Sequence, residues 1–242
     1  MPAEVRVFAD ADELGKALAD EILTAYEGAA DRSFLLGCPG GRSLLTTYHA
    51  LARLHPDLHR LVVVMMDEYV VDGAAAPADA HYSCRGFALR ELVQPLGLRE
   101  EQVWLPDPAD PAGYDDRIAA AGGIDIFLLA SGASDGHVAF VPPGSPRNGR
   151  TAVVLLAETT RRDNVATFPD FASVDDVPRQ GVSVGLGTIG DARSVRLVLH
   201  GPDKREAARR VLALDRFDPS WPASVVHDCA DAEIWLDRAA AP

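Results

Sequence analysis

The sequence predicts an α/β protein built as one domain, with a mostly parallel sheet flanked by helices. Three observations predict it. Short apolar, β-rich runs alternate with amphipathic helical stretches along most of the 242 residues, the pattern of repeated βαβ units. The runs 61–66 and 124–130 are unbroken rather than alternating, as in parallel strands buried on both faces. No internal repeat, low-complexity tract or domain boundary divides residues 1–242.

The elements follow in order. Residues 11–26 carry Leu14, Ala17, Leu18, Ile22 and Ala25 on one helical face. A short strand at 33–36 runs into Cys38-Pro39-Gly40-Gly41, and a helix follows at 43–54. The strand at 61–66 is followed by a small-residue loop at 71–80 and a helix at 81–94. A Pro/Asp linker at 107–111 precedes a helical stretch at 112–121. Strands are expected at 124–130 and 151–156, then a polar, irregular segment at 157–180 that reads as a lid. Strands at 182–186, 195–200 and 234–236, with a helix at 203–214, complete the expectation.

Composition narrows the function. Apolar residues make up 48% of the chain and charged residues 24%, enough to build a sizeable core. A net charge of −13 argues against a nucleic-acid binder or a ligand of acidic membranes, which need a basic face. It leaves room for an anionic small molecule held by a few local cations. The N-terminus has no cationic stretch followed by an apolar core, and no apolar run reaches membrane-spanning length. Cys38, Cys84 and Cys229 are odd in number and far apart, which points to reduced thiols in the cytoplasm. No CxxC pair suggests zinc, and Pro56 between His55 and His59 favours a loop over a metal-binding helix pair. Neither a metal nor a cofactor is expected.

Four groups of residues could carry chemistry. Gly40, Gly41, Arg42 and Ser43 stand between a strand and a helix, where backbone amides and one cation can cradle an anion. The spacing is neither a Walker loop nor GxGxxG, so a nucleotide is not implied. Asp67 and Glu68 follow a buried strand, where burial raises a carboxylate pKa towards the range of a working base. Asp135-Gly136-His137 sets a carboxylate two residues from an imidazole at a strand end, so the acid can orient the ring. Lys204 stands near the first turn of a helix, an end that repels cations unless an anion binds there. Each group also has a plain structural reading: a strand-to-helix turn, a helix cap, an Asp-Gly turn, a solvated lysine. Taken together they suit proton transfer on a small phosphorylated metabolite.

In order along residues 10–237, the segments GCPGGRSLLTTYHAL, MMDEYV, HYSCRGF, IDIFLLASGASDGHVAFVPPGS, GVSVGLGTIGDAR and GPDKREA resemble the glucosamine-6-phosphate deaminase/isomerase family and the related 6-phosphogluconolactonases. The resemblance implies a modified Rossmann-like sheet and a sugar-phosphate substrate. It implies Asp67 as the base that moves a proton between C2 and C1, His137 as the group assisting ring opening, and Asp135 as its support. It puts Gly41, Arg42, Ser43 and Lys204 around the phosphate, and Gly40 and Glu68 beside the substrate. A homo-oligomer is compatible with it.

Two positions depart from the deaminase pattern. Pro142 stands where DGHIAFNEP carries a Glu, and Thr167 stands where ANSRFF carries a phosphate-binding Arg. Arg161, Arg162 and Arg147 are the candidates to compensate. Three functions follow: an isomerase/deaminase that needs Asp67, a lactone hydrolase that needs His137 but not Asp67, and a sugar-phosphate-binding protein without turnover.

Overall fold

A computed structural model describes residues 2–29, 32–168 and 170–242. The N-terminal part runs β1 (Glu4–Phe8), α1 (Ala11–Gly28), β2 (Phe34–Cys38), α2 (Leu45–Arg53), β3 (Leu61–Met65), β4 (Asp67–Val71) and β5 (Ala74–Ala75). Next come α3 (Cys84–Ala88), which a π turn (Leu89–Val93) joins to α4 (Gln94–Leu96), then β6 (Val103–Trp104), α5 (Pro111–Ala120) and β7 (Ile126–Ala130). The remainder is β8 (Ala152–Leu155), α6 (Glu158–Thr167), β9 (Gln180–Ser183), α7 (Leu186–Gly190), β10 (Ser194–Leu199), α8 (Arg205–Leu212) and β11 (Ala232–Asp237).

Seven strands form a wholly parallel sheet in the order β1-β11-β10-β7-β2-β3-β6. Side chains alternate across it as strand geometry requires. Leu36, Val63, Met65, Ile126, Leu128 and Val198 pack on one face with Leu14, Leu18 and Ile22 of α1 and Leu51 of α2. Leu35, Val64, Phe127, Leu129, Leu197 and Leu199 pack on the other with Tyr114 and Ile118 of α5, Ile189 of α7 and Val211 of α8. Burial on both faces explains the unbroken apolar runs.

From β2 the chain winds outward through β3 and β6; from β7 it winds the opposite way through β10 and β11. The reversal between adjacent β2 and β7 opens a crevice at their carboxyl ends, where open α/β sheets bind ligands.

Several expectations are corrected. A second, antiparallel sheet in the order β5-β4-β9-β8 stands beside the first. The apolar run 61–66 ends at Met65, and Asp67 opens β4 of this second sheet rather than a loop. Part of the 71–80 loop is a hairpin turn, with Asp72 at φ 52° and Gly73 at φ 79°, the positive angles that tight hairpins need. Residues 157–180 are irregular only in their second half, because α6 occupies Glu158–Thr167. The helix expected from 81 starts only at Cys84, and Leu186 opens α7 instead of ending a strand. Edge strand β1 was not expected; its Glu-Val-Arg-Val-Phe sequence is largely exposed and too short to signal burial.

Candidate active site

Loops from the carboxyl ends of β2, β3, β7 and β10, together with α6, enclose a cavity of about 180 Å³. After β2 the chain turns at Gly41, whose φ of 81° is open to glycine and strained for other residues, and enters a 3-10 turn at Arg42–Leu44 that leads to α2. Buried Tyr48 holds this loop by donating its hydroxyl to the Pro39 carbonyl at 2.9 Å, and His200 Nε2 donates to the Ser43 carbonyl at 2.9 Å. Gly40, Gly41, Arg42 and Ser43 all line the cavity. Lys204 closes the same end from the turn before α8, donating Nζ to the Ser131 carbonyl at 2.8 Å. Burial lowers the Lys204 pKa, while the carboxylates of Asp203 and Asp163 pull it back up. The Arg42 side chain makes no hydrogen bond or ion pair among the described residues, so its charge is available to an anion.

Asp67 lies deeper, 6% exposed. The Cys84 thiol donates to its Oδ1 at 3.3 Å. Burial pushes the Asp67 carboxyl up to about 7; the Cys84 hydrogen bond opposes this, and the neighbouring charge of Glu68 adds to it. Such a group exchanges a proton readily near neutral pH.

Glu68 does not join Asp67 in the lining, which corrects its expected part in substrate binding. Strand alternation turns it to the other face, where it accepts from the backbone N–H groups of Tyr69 (2.9 Å), Cys84 (3.0 Å) and Arg85 (2.8 Å) and from the Ser83 hydroxyl (3.0 Å). Its carboxylate satisfies the first amides of α3, a place that favours negative charge.

His137 lines the cavity and Asp135 stands behind it. Asp135 Oδ1 lies 2.6 Å from His137 Nδ1 and 3.1 Å from the His137 backbone nitrogen. The hydroxyl of Thr159 donates to Asp135 Oδ2, and that of Thr160 does so at 3.3 Å. Burial alone would raise the Asp135 pKa, but the hydrogen bond and charge of His137, with Thr159, hold it well below the ordinary carboxylate range. An ionised acid at Nδ1 keeps the proton there and leaves Nε2 to face a substrate. The turn needs Gly136: its φ is 70°, and a Cβ there would come within 2.3 Å of the Trp221 ring.

The two departures have clear structural counterparts. Residue for residue, DNVATF sets Ala166 rather than Thr167 opposite the Arg of ANSRFF; both line the cavity, the Thr167 methyl 3.5 Å from where a Cβ on Gly41 would stand, and neither brings charge. None of the three arginines compensates. Arg161 is buried and donates to the carbonyls of Val174 and Val177, Arg162 pairs with Glu158, and Arg147 is bound to Leu186 and Asp228. Pro142 is outside the lining, and its carbonyl accepts from Ser145.

His55 and His59 lie in an exposed turn beyond α2, with His59 bound to Asp57. Among the described residues only Asp135, His137 and Asp163 group closely enough to hold a metal ion. Asp135 and His137 already engage each other and Thr159 and Thr160, and Asp163 accepts from Ser134.

Sequence reasoning missed what α6 contributes. Asp163, Asn164, Thr167 and Phe168 line the cavity, as do Tyr69, Cys84 and Phe140 from elsewhere. The Tyr69 hydroxyl and Asn164 Nδ2 are buried without a partner among the described residues, a costly state that a bound polar ligand would relieve. The signal was present: Thr159, Thr160, Asp163, Asn164 and Thr167 recur with helical spacing, a polar stripe that faces inward.

Residues 9–235 match the model of the family described as glucosamine-6-phosphate isomerases/6-phosphogluconolactonase. A glucosamine-6-phosphate deaminase of Pseudarthrobacter chlorophenolicus is 36% identical over 247 residues, covering 98% of this chain and 91% of that protein. One of Corynebacterium kroppenstedtii is 38% identical over 235 residues, covering 92% and 86%. Among solved structures, a monomeric glucosamine-6-phosphate deaminase superposes with a TM-score of 0.87 at 28% identity, covering 98% of both chains. A 6-phosphogluconolactonase from Trypanosoma cruzi gives 0.74 at 19% identity, covering 98% and 95%, and shares the fold. By sequence and by fold, then, this chain belongs to the glucosamine-6-phosphate isomerase/6-phosphogluconolactonase family.

Proposed function

We propose that the protein is a glucosamine-6-phosphate deaminase, converting an amino-sugar phosphate to the ketose phosphate with release of ammonia. The observation that carries this is Asp67, a buried carboxylate pushed up to about 7 in the cavity that His137 also lines. In this reading Arg42, Ser43, Lys204 and the amides at Gly40 and Gly41 hold the phosphate. The Asp135–His137 pair helps open the ring, and Asp67 takes the C2 proton and returns it at C1. Every group comes from one copy of the chain, and the superposed deaminase is described as monomeric.

The whole of residues 1–242 would act as a single domain. Free Cys38, Cys84 and Cys229 support a reducing, cytoplasmic setting, and no helix among the described residues is long and apolar enough to cross a membrane.

A lactone hydrolase is the second reading. It is favoured by Pro142, which removes the carboxylate that the deaminase pattern has there. Proton NMR in D2O with glucosamine 6-phosphate separates the two. Ketose phosphate carrying solvent deuterium at C1, lost in Asp67→Asn, supports the deaminase. Turnover of 6-phosphogluconolactone alone, equal in wild type and Asp67→Asn, rejects it. Thermal stabilisation by sugar phosphate without turnover of either compound marks a binding protein.

A further inference from the structure

His137 offers the cavity one nitrogen, because Nδ1 is taken by Asp135. Asp135 has no capacity to spare: it accepts from His137, Thr159 and Thr160. Opening a cyclic hemiacetal moves two protons at two oxygens, since the C1 hydroxyl loses one and the ring oxygen gains one. A single imidazole nitrogen serves one of these at a time.

We propose that Asp163 is the second proton carrier of this site, acting beside His137. The proposal rests on the sugar-phosphate reading above. One oxygen of Asp163, one of Asp135 and one ring nitrogen of His137 all lie within 4.8 Å of one another. A sugar ring that reaches His137 therefore also comes close to Asp163, and its O1 and O5, both bonded to C1, present two neighbouring oxygens to the two groups. Asp163 is half-buried in the cavity lining, and the Ser134 hydroxyl fixes it by donating to Oδ1 at 2.6 Å. It follows Thr159 by four residues and Thr160 by three, so one face of α6 both carries Asp163 and holds Asp135. Lys204 is near enough to feel the Asp163 carboxylate, which supplies a neighbouring cation.

The step balances. The O1–H bond breaks and its proton passes to Asp163; the freed electron pair forms the C1 carbonyl. The C1–O5 bond breaks, and O5 takes the proton that imidazolium His137 carries on Nε2. The carboxylate gains one proton and the imidazolium loses one. Transfer from Asp163 to His137 through a water resets the pair.

The competing role for Asp163 is to tie the 131–137 loop to α6 through Ser134. Asp163→Asn separates the two, since the amide oxygen still accepts the short bond from the Ser134 hydroxyl, giving up only the long 3.4 Å one from its backbone N–H, but takes up no proton. With glucosamine 6-phosphate, Asp163→Asn should lower kcat about 100-fold with KM changed less than about threefold, and formate should restore at least about tenfold to Asp163→Ala. Asp163→Asn within about threefold of wild-type kcat would overturn the proposal. So would losses in both variants that formate does not relieve and that track a lower melting temperature. No turnover by the wild type would overturn both this inference and the deaminase reading; wild-type turnover with an unimpaired Asp163→Asn would overturn this inference alone.

Discussion

Asp67 and Asp135 are both buried, at 6% and 8% exposure, Asp67 in the cavity lining and Asp135 behind His137. Their proton affinities nevertheless move apart. Asp67 meets one weak donor, the Cys84 thiol, and stands next to the charge of Glu68, so burial decides and its pKa rises to about 7. Asp135 is penalised by burial too, but the His137 imidazole, the Thr159 hydroxyl and the His137 backbone N–H reverse the effect and keep it ionised. Burial alone therefore does not assign a carboxylate its role. The number and strength of its donors do. One acid is left free to exchange a proton; the other is a fixed anion that holds an imidazole.

The largest test of this contrast is Asp67→Asn, which should lower kcat by about 10³-fold or more while leaving KM near wild type. Stability should move the other way. Between pH ~4 and ~7 the folded state keeps a proton that the unfolded chain has released, so stability falls as pH rises through that window. Above it the buried charge costs about 4 kcal/mol. Asp67→Asn should then melt above wild type at pH 8, with the gain fading towards pH 4. A variant that melts lower than wild type at pH 8 breaks the contrast at its first term.

Asp135→Asn should cost about 10²–10³ in kcat, and its stability effect has the opposite sign. A depressed folded pKa contributes stability above the ordinary carboxylate range that is lost as pH falls. The variant should therefore be destabilised at neutral pH, and the gap should close below about pH 4 as wild type loses the same contribution. Chemical denaturation at several pH values measures it.

Smaller effects sharpen the picture. Lys204→Met should raise KM about tenfold or more, the loss of one charge-assisted bond to phosphate, with kcat less affected. Cys84→Ala should move the acid limb of the pH–kcat profile upward, because Asp67 loses the one donor that lowers its pKa. A limb that shifts downward would show that the thiol does not stabilise the ionised form.

The parallel sheet was legible because burial on both faces writes itself as apolar runs, as at 61–66 and 124–130. The turns at Gly41 and Gly136 were legible because few residues other than glycine adopt those angles without strain. What was hidden is the wall made by α6. Its residues are Thr, Arg, Asp and Asn, whose inward face is polar because it meets a cavity and Asp135 rather than a core, so an apolar periodicity test passes over it. Glu68 was misjudged for a related reason. Adjacent strand residues point to opposite faces, and only one of two neighbouring acids can look into the cleft.

Among the described residues strand β1 pairs only with β11, register running from Glu4 opposite Glu233 to Phe8 opposite Asp237. Ribosomal synthesis makes the first of these more than two hundred residues before the second. Until then Val5 and Val7 belong to a strand with nothing to pair with, and the sheet edge beside them is unfinished. Closure of that edge is accordingly a late event, set by a long-range search rather than by local structure. The β2 and β7 crevice is interior to the sheet and independent of this edge, so ligand recognition can mature before the outermost strand docks.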